Sequence, residues 1–411
     1  MMDKQINKTP LIRFPEFKDD WENKQLSKLL CVSKKTNKDL KYGKEDVLSV
    51  SGELGIVNQI EHLGRSYAGV SVHNYGVVEL NQIVYTKSPL KSNPYGIIKL
   101  NKHKAGIVST LYAVYNVSQE TNGQFIEYYF SLDANLNRYL RPLVRKGAKN
   151  DMKISNEYVL NDCIFAPQLK EQQKIASFIS AVYEKIQQLT KKKELLEEYK
   201  KGIMQKIFSQ ELRFKDDNGN SYPGWEEKKL EEVLFEHKQK SAGKEEVYSV
   251  SVHKGLINQI EHLGRSFSAK NTDHYALVKP NDIVYTKSPT GEFPYGIIKQ
   301  AKIDKEVIVS PLYAVFTPET KYLGYMLDIY FESKHNVHNY LHSIIQKGAK
   351  NTINITNSTF LSKSLKLPID FDEQRKIESF LKLIDRKIKL VSTQIQKTKA
   401  FKKGLLQQMF V

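Results

Sequence analysis

At 411 residues the chain exceeds the roughly 250–300 at which a single hydrophobic core stops growing, so two or more domains are expected. Lys and Arg number 63 against 46 Asp and Glu, a formal charge of +17, which favours a polyanionic partner such as nucleic acid or an anionic membrane surface. Two cysteines, Cys31 and Cys163, argue against a disulfide scaffold or a thiolate zinc site and fit a reducing cytoplasm. No apolar run approaches the ~20 residues of a membrane span, and "MMDKQINKTPLIRF" lacks a signal-peptide apolar core, so a cytoplasmic protein with no membrane partner is expected.

In chain order, "DDWENK" brings Asp19, Asp20, Glu22 and Lys24 together around Trp21. The acids stand too close in sequence to sit on two successive strands of a metal-dependent nuclease, and the segment reads as a Trp-anchored, charged start of a domain. Short β-type runs follow ("IVYT", "YGIIK", "LYAVYNV"), punctuated by Gly, Pro and Asn, and then a helical stretch from Gly123 to Leu140. This is an α+β unit. After it, positions 179, 182, 186, 189, 193, 196, 200, 203 and 207 advance in alternating steps of three and four and are mostly apolar: Ile179, Val182, Ile186, Leu189, Leu196, Ile203 and Ile207. A helix of ~35 residues and roughly 50 Å is expected.

The whole arrangement then recurs. Val47 to Lys99 and Val247 to Lys299 agree at 30 of 53 positions, enough to require one fold for both. "NQIEHLGRS" stands at Asn58 and again at Asn258, "KGAKN" at Lys146 and Lys347, "EQQKI" at Glu171 and "EQRKI" at Glu373. The second helix carries its stripe in the same register: Ile377, Leu381, Ile384, Ile388, Val391, Ile395, Thr398, Lys402, Leu405 and Met409. One apolar stripe does not hold a single long helix in water, so the two helices should pair antiparallel. Lys200 and Lys402 fall at equivalent stripe positions, where their charge is expected to reach solvent. The approximate two-fold axis of such a pair matches that of a DNA duplex read at two half-sites.

Phosphate-binding, zinc and redox signatures are missing: there is no G-x-G-x-x-G, G-x-x-x-x-G-K-[ST], H-E-x-x-H or C-x-x-C. "SNPY" at Ser92 to Tyr95 lacks one proline of an adenine-methyltransferase box, and its duplicate "EFPY" lacks the Asn, so no catalytic residue is assigned. Glu61–His62 and Glu261–His262 have no third partner for acid–base work and read as structural or DNA-facing.

Residues at the domain starts, "FPEFKDDWENKQLSKL" and "YPGWEEKKLEEV", and at the domain-to-helix junctions, "KGAKNDMKISNEYVLNDCIFAPQLKEQQKIASFI" and "KGAKNTINITNSTFLSKSLKLPIDFDEQRKIESFL", give the chain its family likeness. It resembles the specificity (S) subunit of type I restriction-modification enzymes over almost its whole length. The resemblance implies two repeated α+β target recognition domains, at residues 1–166 and 211–367, separated by helical spacers at 167–210 and 368–411 that pair as an antiparallel coiled coil. It also implies a non-catalytic subunit that reads a bipartite, double-stranded DNA target. The partners would be two methyltransferase subunits, with motor/nuclease subunits recruited through them, and S-adenosylmethionine, ATP and Mg would belong to those partners. No cofactor or metal is expected on this chain.

DNA affinity should come from phosphate neutralisation and specificity from base edges. The candidates are Arg65, Tyr85, Lys87, Ser88, Asn93, Lys146 and Lys149, with Arg265, Tyr285, Lys287, Ser288, Glu292, Lys347 and Lys350 in the repeat. The copies diverge most between "YTKSP" and "PYGIIK", where Asn93 can pair with adenine and Glu292 can accept from cytosine. Similar domains in two-fold arrangement imply half-sites that are near inverted copies. The competing readings are a self-contained adenine methyltransferase or nuclease with a degenerate site, and a helical scaffold whose ends bind protein.

Overall fold

The computed structural model describes residues 9–90, 93–146, 152–265, 272–347 and 353–411. It divides into one unit of Met1–Lys191 with Ser392–Val411 and another of Lys192–Val391.

In the first unit a four-stranded antiparallel sheet is built from β1 (Leu30–Val32), β2 (Ile83–Thr86), β3 (Ile97–Leu100) and β4 (Tyr112–Val117), in the order β1-β4-β2-β3. The central strand β2, "IVYT", is buried at every position. Ile83 and Tyr85 join one apolar cluster with Trp21, Phe125 and Tyr139, and Val84 joins a second with Leu48, Ile56 and Val114. Helix α1 (Gly123–Phe130) starts where the Asn122 side chain accepts from the Phe125 amide, the usual resolution of a free helix-start donor. Between β2 and β3 the chain turns through Gly96 at φ +91, where a Cβ would stand 2.0 Å from the Thr86 carbonyl oxygen. Only glycine fits that turn.

A long helix α2 (Leu169–Phe208) follows. The second unit repeats the plan with β5 (Leu234–Phe235), β6 (Ile283–Thr286), β7 (Ile297–Gln300) and β8 (Tyr313–Pro318) in the order β5-β8-β6-β7, then α3 (Lys321–Tyr330) and a second long helix α4 (Phe371–Met409). Both long helices exceed the ~35 residues expected, at 40 and 39. Every position of the two sequence stripes is buried or half-buried, while most of the intervening positions are exposed.

Inside each unit the start of one long helix meets the end of the other. In the first, Ile175, Ala176 and Ile179 share a core with Leu405, Leu406, Met409 and Phe410. In the second, Ile203, Met204 and Ile207 share one with Ile377, Leu381 and Ile384. The two stripe lysines depart from expectation. Lys200 is 15% exposed and pairs with Asp385 at 2.8 Å, and Lys402 lies 4.2 Å from the centre of the Tyr183 ring. A charge at a stripe position stays inside when the opposite helix offers it a carboxylate or a ring face.

The duplicated junction sequences have a duplicated structural reason. Glu171, almost wholly buried, accepts from Arg13 Nε and Nη2, both at 2.7 Å, and from Trp21 Nε1 at 3.3 Å. Glu373 accepts from Arg213 Nε at 3.0 Å and Nη2 at 2.8 Å, and from Trp225 Nε1 at 3.1 Å. The next residue ties the helix start to the domain: Gln172 donates to the Pro167 carbonyl and accepts from the Asn122 amide, and Gln374 donates to Pro368 and accepts from Thr320. A bidentate Arg–carboxylate pair with a third donor offsets the cost of burying the charge.

Candidate nucleic-acid interface

The segment "NQIEHLGRS" folds as one capped helical turn in each unit. Asn58 Oδ1 accepts from the Ile60 and Glu61 amides at 2.9 and 3.2 Å, and its Nδ2 donates to the Glu45 carbonyl. Gln59 donates to Ser49 Oγ at 2.8 Å and accepts from the Tyr67 amide at 2.8 Å. Gly64, at φ +75, closes the turn by donating to the Ile60 carbonyl. Asn258, Gln259 and Gly264 repeat the caps and the Ser249 brace. What each turn presents is an exposed arginine. Arg65 lies 4.6 Å from the centre of the Tyr67 ring, and Arg265 is exposed as well.

Beside each turn is a cleft. In the first unit it encloses about 630 Å³ and is lined by Asn58, Glu61, His62, Lys102, His103 and Lys104, among others. In the second it encloses about 590 Å³ between Tyr248, Asn258, Glu261, Lys302, Ile303 and Asp304. Lys104 reaches Glu61 at 2.9 Å. Lys102, His103 and Lys104 of the first cleft were not among the residues expected from sequence, although the local run "NKHK" carries them.

Tyr85 and Tyr285 are corrected. Both are fully buried, and each hydroxyl donates at 2.8 Å to the carbonyl of Tyr95 or Tyr295. Each lies on a strand covered on both faces, so both are core residues. Asn93 is also corrected, being buried at 8% exposure, as is Phe293 at 6%. The turn is closed alike in both copies, by paired backbone bonds between Leu90 and Asn93 and between Thr290 and Phe293, which turns its last side chain inward.

Glu292 is exposed and 3.4 Å from Lys334. Lys87 and Ser88 are half-buried and Ser288 is exposed. Lys287 is half-buried and donates to Asn357 Oδ1 at 2.7 Å, while Asn357 donates to Glu236; burial lowers its pKa. Lys146 and Lys347 end the short strands Arg145–Lys146 and Gln346–Lys347, and Lys149 and Lys350 lie outside the described residues. Among the described residues no group of three or more His, Cys, Asp or Glu is placed to hold a metal ion, and no helix is long and apolar enough to cross a membrane.

No protein-family model and no curated protein matches the chain. Among solved structures, a type I restriction-modification system S subunit from M. genitalium superimposes with a TM-score of 0.54 at 15% identity, over 98% of this chain and 99% of that one. The chain has the fold of that S subunit. A chain from a study of complex assembly and conformational transition in the type I R-M system superimposes with a TM-score of 0.50 at 14% identity, over 95% and 96% of the two chains. The likeness to the S subunit runs through both repeats and both long helices.

Proposed function

We propose that this protein is the DNA-recognition subunit of a type I restriction-modification complex. It reads a bipartite, near-palindromic duplex target and directs adenine methylation or restriction by partner subunits. The observation that carries this reading is the pairing of two copies of one α+β unit with two long helices, in the fold of an S subunit over nearly the full length of both chains. The +17 charge supports a polyanionic ligand.

The exposed arginines Arg65 and Arg265, the flanking clefts, and Lys87, Ser88, Ser288 and Glu292 supply the DNA-facing groups, and the two recognition domains occupy residues 1–166 and 211–367. Phosphate contacts set affinity and base-edge contacts set sequence. The seam residues Ile179 to Ile203 and Leu381 to Leu405 pair the helices as an antiparallel coiled coil that fixes the gap between half-sites and carries two methyltransferase subunits. Motor/nuclease subunits join through these. The chain itself is non-catalytic, and S-adenosylmethionine, ATP and Mg belong to the partners.

Selection of bound duplexes from a randomised pool by the purified chain tests the reading. Recovery of two conserved short blocks separated by an unconserved gap is expected; recovery of one continuous block, or of no preferred sequence, contradicts it.

A further inference from the structure

In the second unit three lysines meet three carboxylates. Lys299 lies 3.2 Å from Glu332 and 3.5 Å from Asp328, Lys302 lies 2.6 Å from Asp328, and Lys200 lies 2.8 Å from Asp385 and 3.8 Å from Glu332. Three positive charges face three negative ones, and the group is neutral.

The first unit keeps the lysines and loses two of the carboxylates. Lys99, Lys102 and Lys402 stand at the positions of Lys299, Lys302 and Lys200. Glu127, the counterpart of Asp328, pairs with Lys102 at 2.6 Å. In place of Glu332 and Asp385 are Ser131 and Tyr183. Matching ring contacts fix the equivalence, since Phe130–Tyr139 at 5.1 Å repeats as Phe331–Tyr340 at 5.2 Å, immediately before Ser131 and Glu332 respectively.

Ser131 Oγ donates to the Tyr128 carbonyl at 2.7 Å. Tyr183 stacks on Tyr128 at 5.3 Å, with Lys402 over the first ring and Lys102 over the second. Among the described residues Lys99 makes no hydrogen bond or ion pair. Burial pushes Lys99 and Lys402 below the ordinary lysine value, and Lys99 lies close enough to Lys402 to add to its fall. Two exposed groups of opposite sign, Asp133 near Lys99 and Lys399 near Lys402, also lie within electrostatic range.

The missing partners amount to two negative charges and two sets of acceptor oxygens, replaced by two side chains that carry no charge. We propose that Lys99, Lys102 and Lys402, beside Ser131 and Tyr183, form a binding site for a phosphate group in the first unit. A compact dianion with several acceptor oxygens restores the neutrality that Glu332 and Asp385 give the second unit, and ammonium groups bind phosphate as point charges without a fixed fork geometry. The site does not depend on the proposed DNA role, because free phosphate and a duplex backbone offer the same chemistry.

The test is a calorimetric titration of the full chain with inorganic phosphate, at constant ionic strength set by chloride. One saturable phosphate per chain, displaced by sulfate, is expected. Ser131→Glu copies Glu332 and supplies the anion internally, so phosphate affinity falls by about tenfold or more, the scale of a lost charged hydrogen bond, while the thermal midpoint stays at or above the parent's. Tyr183→Asp, copying Asp385, and Lys99→Gln are expected to show the same loss, and they decide the matter if Ser131→Glu does not fold.

Duplex binding identifies the source. A salt slope smaller in magnitude by about one in Ser131→Glu assigns a backbone phosphate; an unchanged slope with phosphate uptake still lost assigns a free one. A parent without saturable uptake overturns the proposal, as do folded variants that bind phosphate as the parent does.

Discussion

The backbone amide of Ile12 donates to the carbonyl of Gln408 at 2.9 Å, and in the second unit the amide of Leu212 donates to the carbonyl of Lys206 at 3.0 Å. The two bonds are equivalent, but residues 206 and 212 are joined by five residues of continuous chain, whereas residues 408 and 12 belong to opposite ends of it. A link from residue 411 to residue 9 should therefore close the first unit as residues 207–211 close the second. A circular permutant opened between Gln210 and Glu211, with a short Gly/Ser link from 411 to 9, is expected to fold with the parent's helical content and a single thermal transition near the parent's. Loss of folded protein on circular dichroism contradicts this.

The buried fork on Glu171 is expected to be worth more than a surface ion pair. Glu171→Ala leaves Arg13 and Trp21 without their shared acceptor and should cost on the order of 3 kcal/mol in denaturant unfolding, against a much smaller loss for an exposed pair such as Lys35–Glu79. Glu373→Ala should behave alike in the second unit. Equal, small losses at all three sites would remove the fork from the account of the junctions.

Two glycines in left-handed conformation separate conformational cost from collision. At Gly64 an added Cβ meets nothing within 4 Å, so Gly64→Ala should cost about 1 kcal/mol. At Gly96 the same Cβ meets the Thr86 carbonyl oxygen at 2.0 Å, and Gly96→Ala is expected to cost several times more, because the hairpin backbone has to move. Comparable unfolding midpoints for the two variants would contradict the packing described for β2 and β3.

The depressed pKa values of Lys99 and Lys402 predict an alkaline signature. Each folded value lies below the ordinary 10.5, so in that window the folded state binds fewer protons than the unfolded one. Stability contributed by these sites therefore rises as pH climbs towards 10.5. In phosphate-free buffer, the parent should gain on Lys99→Met as pH climbs towards 10.5. A difference constant with pH would show that Lys99 is not held down by burial.

Much of this was legible in sequence because it is periodic or repeated. The three-and-four stripe of α2 and α4 needs only spacing, and the second copy of each motif doubles the signal. The role of Tyr85 was not legible. "YTKSP" reads as a polar loop, and a four-residue strand offers too short a run to reveal that β2 is covered on both faces. Asn93 was misplaced for a related reason, since its four-residue stretch diverges in sequence while the turn it closes does not. The lysine cluster of the first unit appears only when the chain is folded. Lys99 and Lys402 are about 300 residues apart, and the contrast with the second unit rests on Ser131 and Tyr183, which carry no charge to notice.

On the proposed function, the length of the paired helices sets the gap between the half-sites. Removing one heptad from α2, Ala181 to Gln187, is expected to shift or abolish the tolerated gap between half-sites while the variant still folds, as read by circular dichroism. An unchanged gap in the selected duplexes would contradict the spacer role.

Mapping methylated adenines across the genome of a host, with and without this chain and with its methyltransferase partners supplied in both cases, tests the central claim most directly. The account predicts methylation that depends on the chain and falls in a two-part sequence, with a fixed gap and halves that are near inverted copies, as expected of domains agreeing at 30 of 53 aligned positions. Methylation indifferent to the chain, or confined to one continuous sequence, would contradict it.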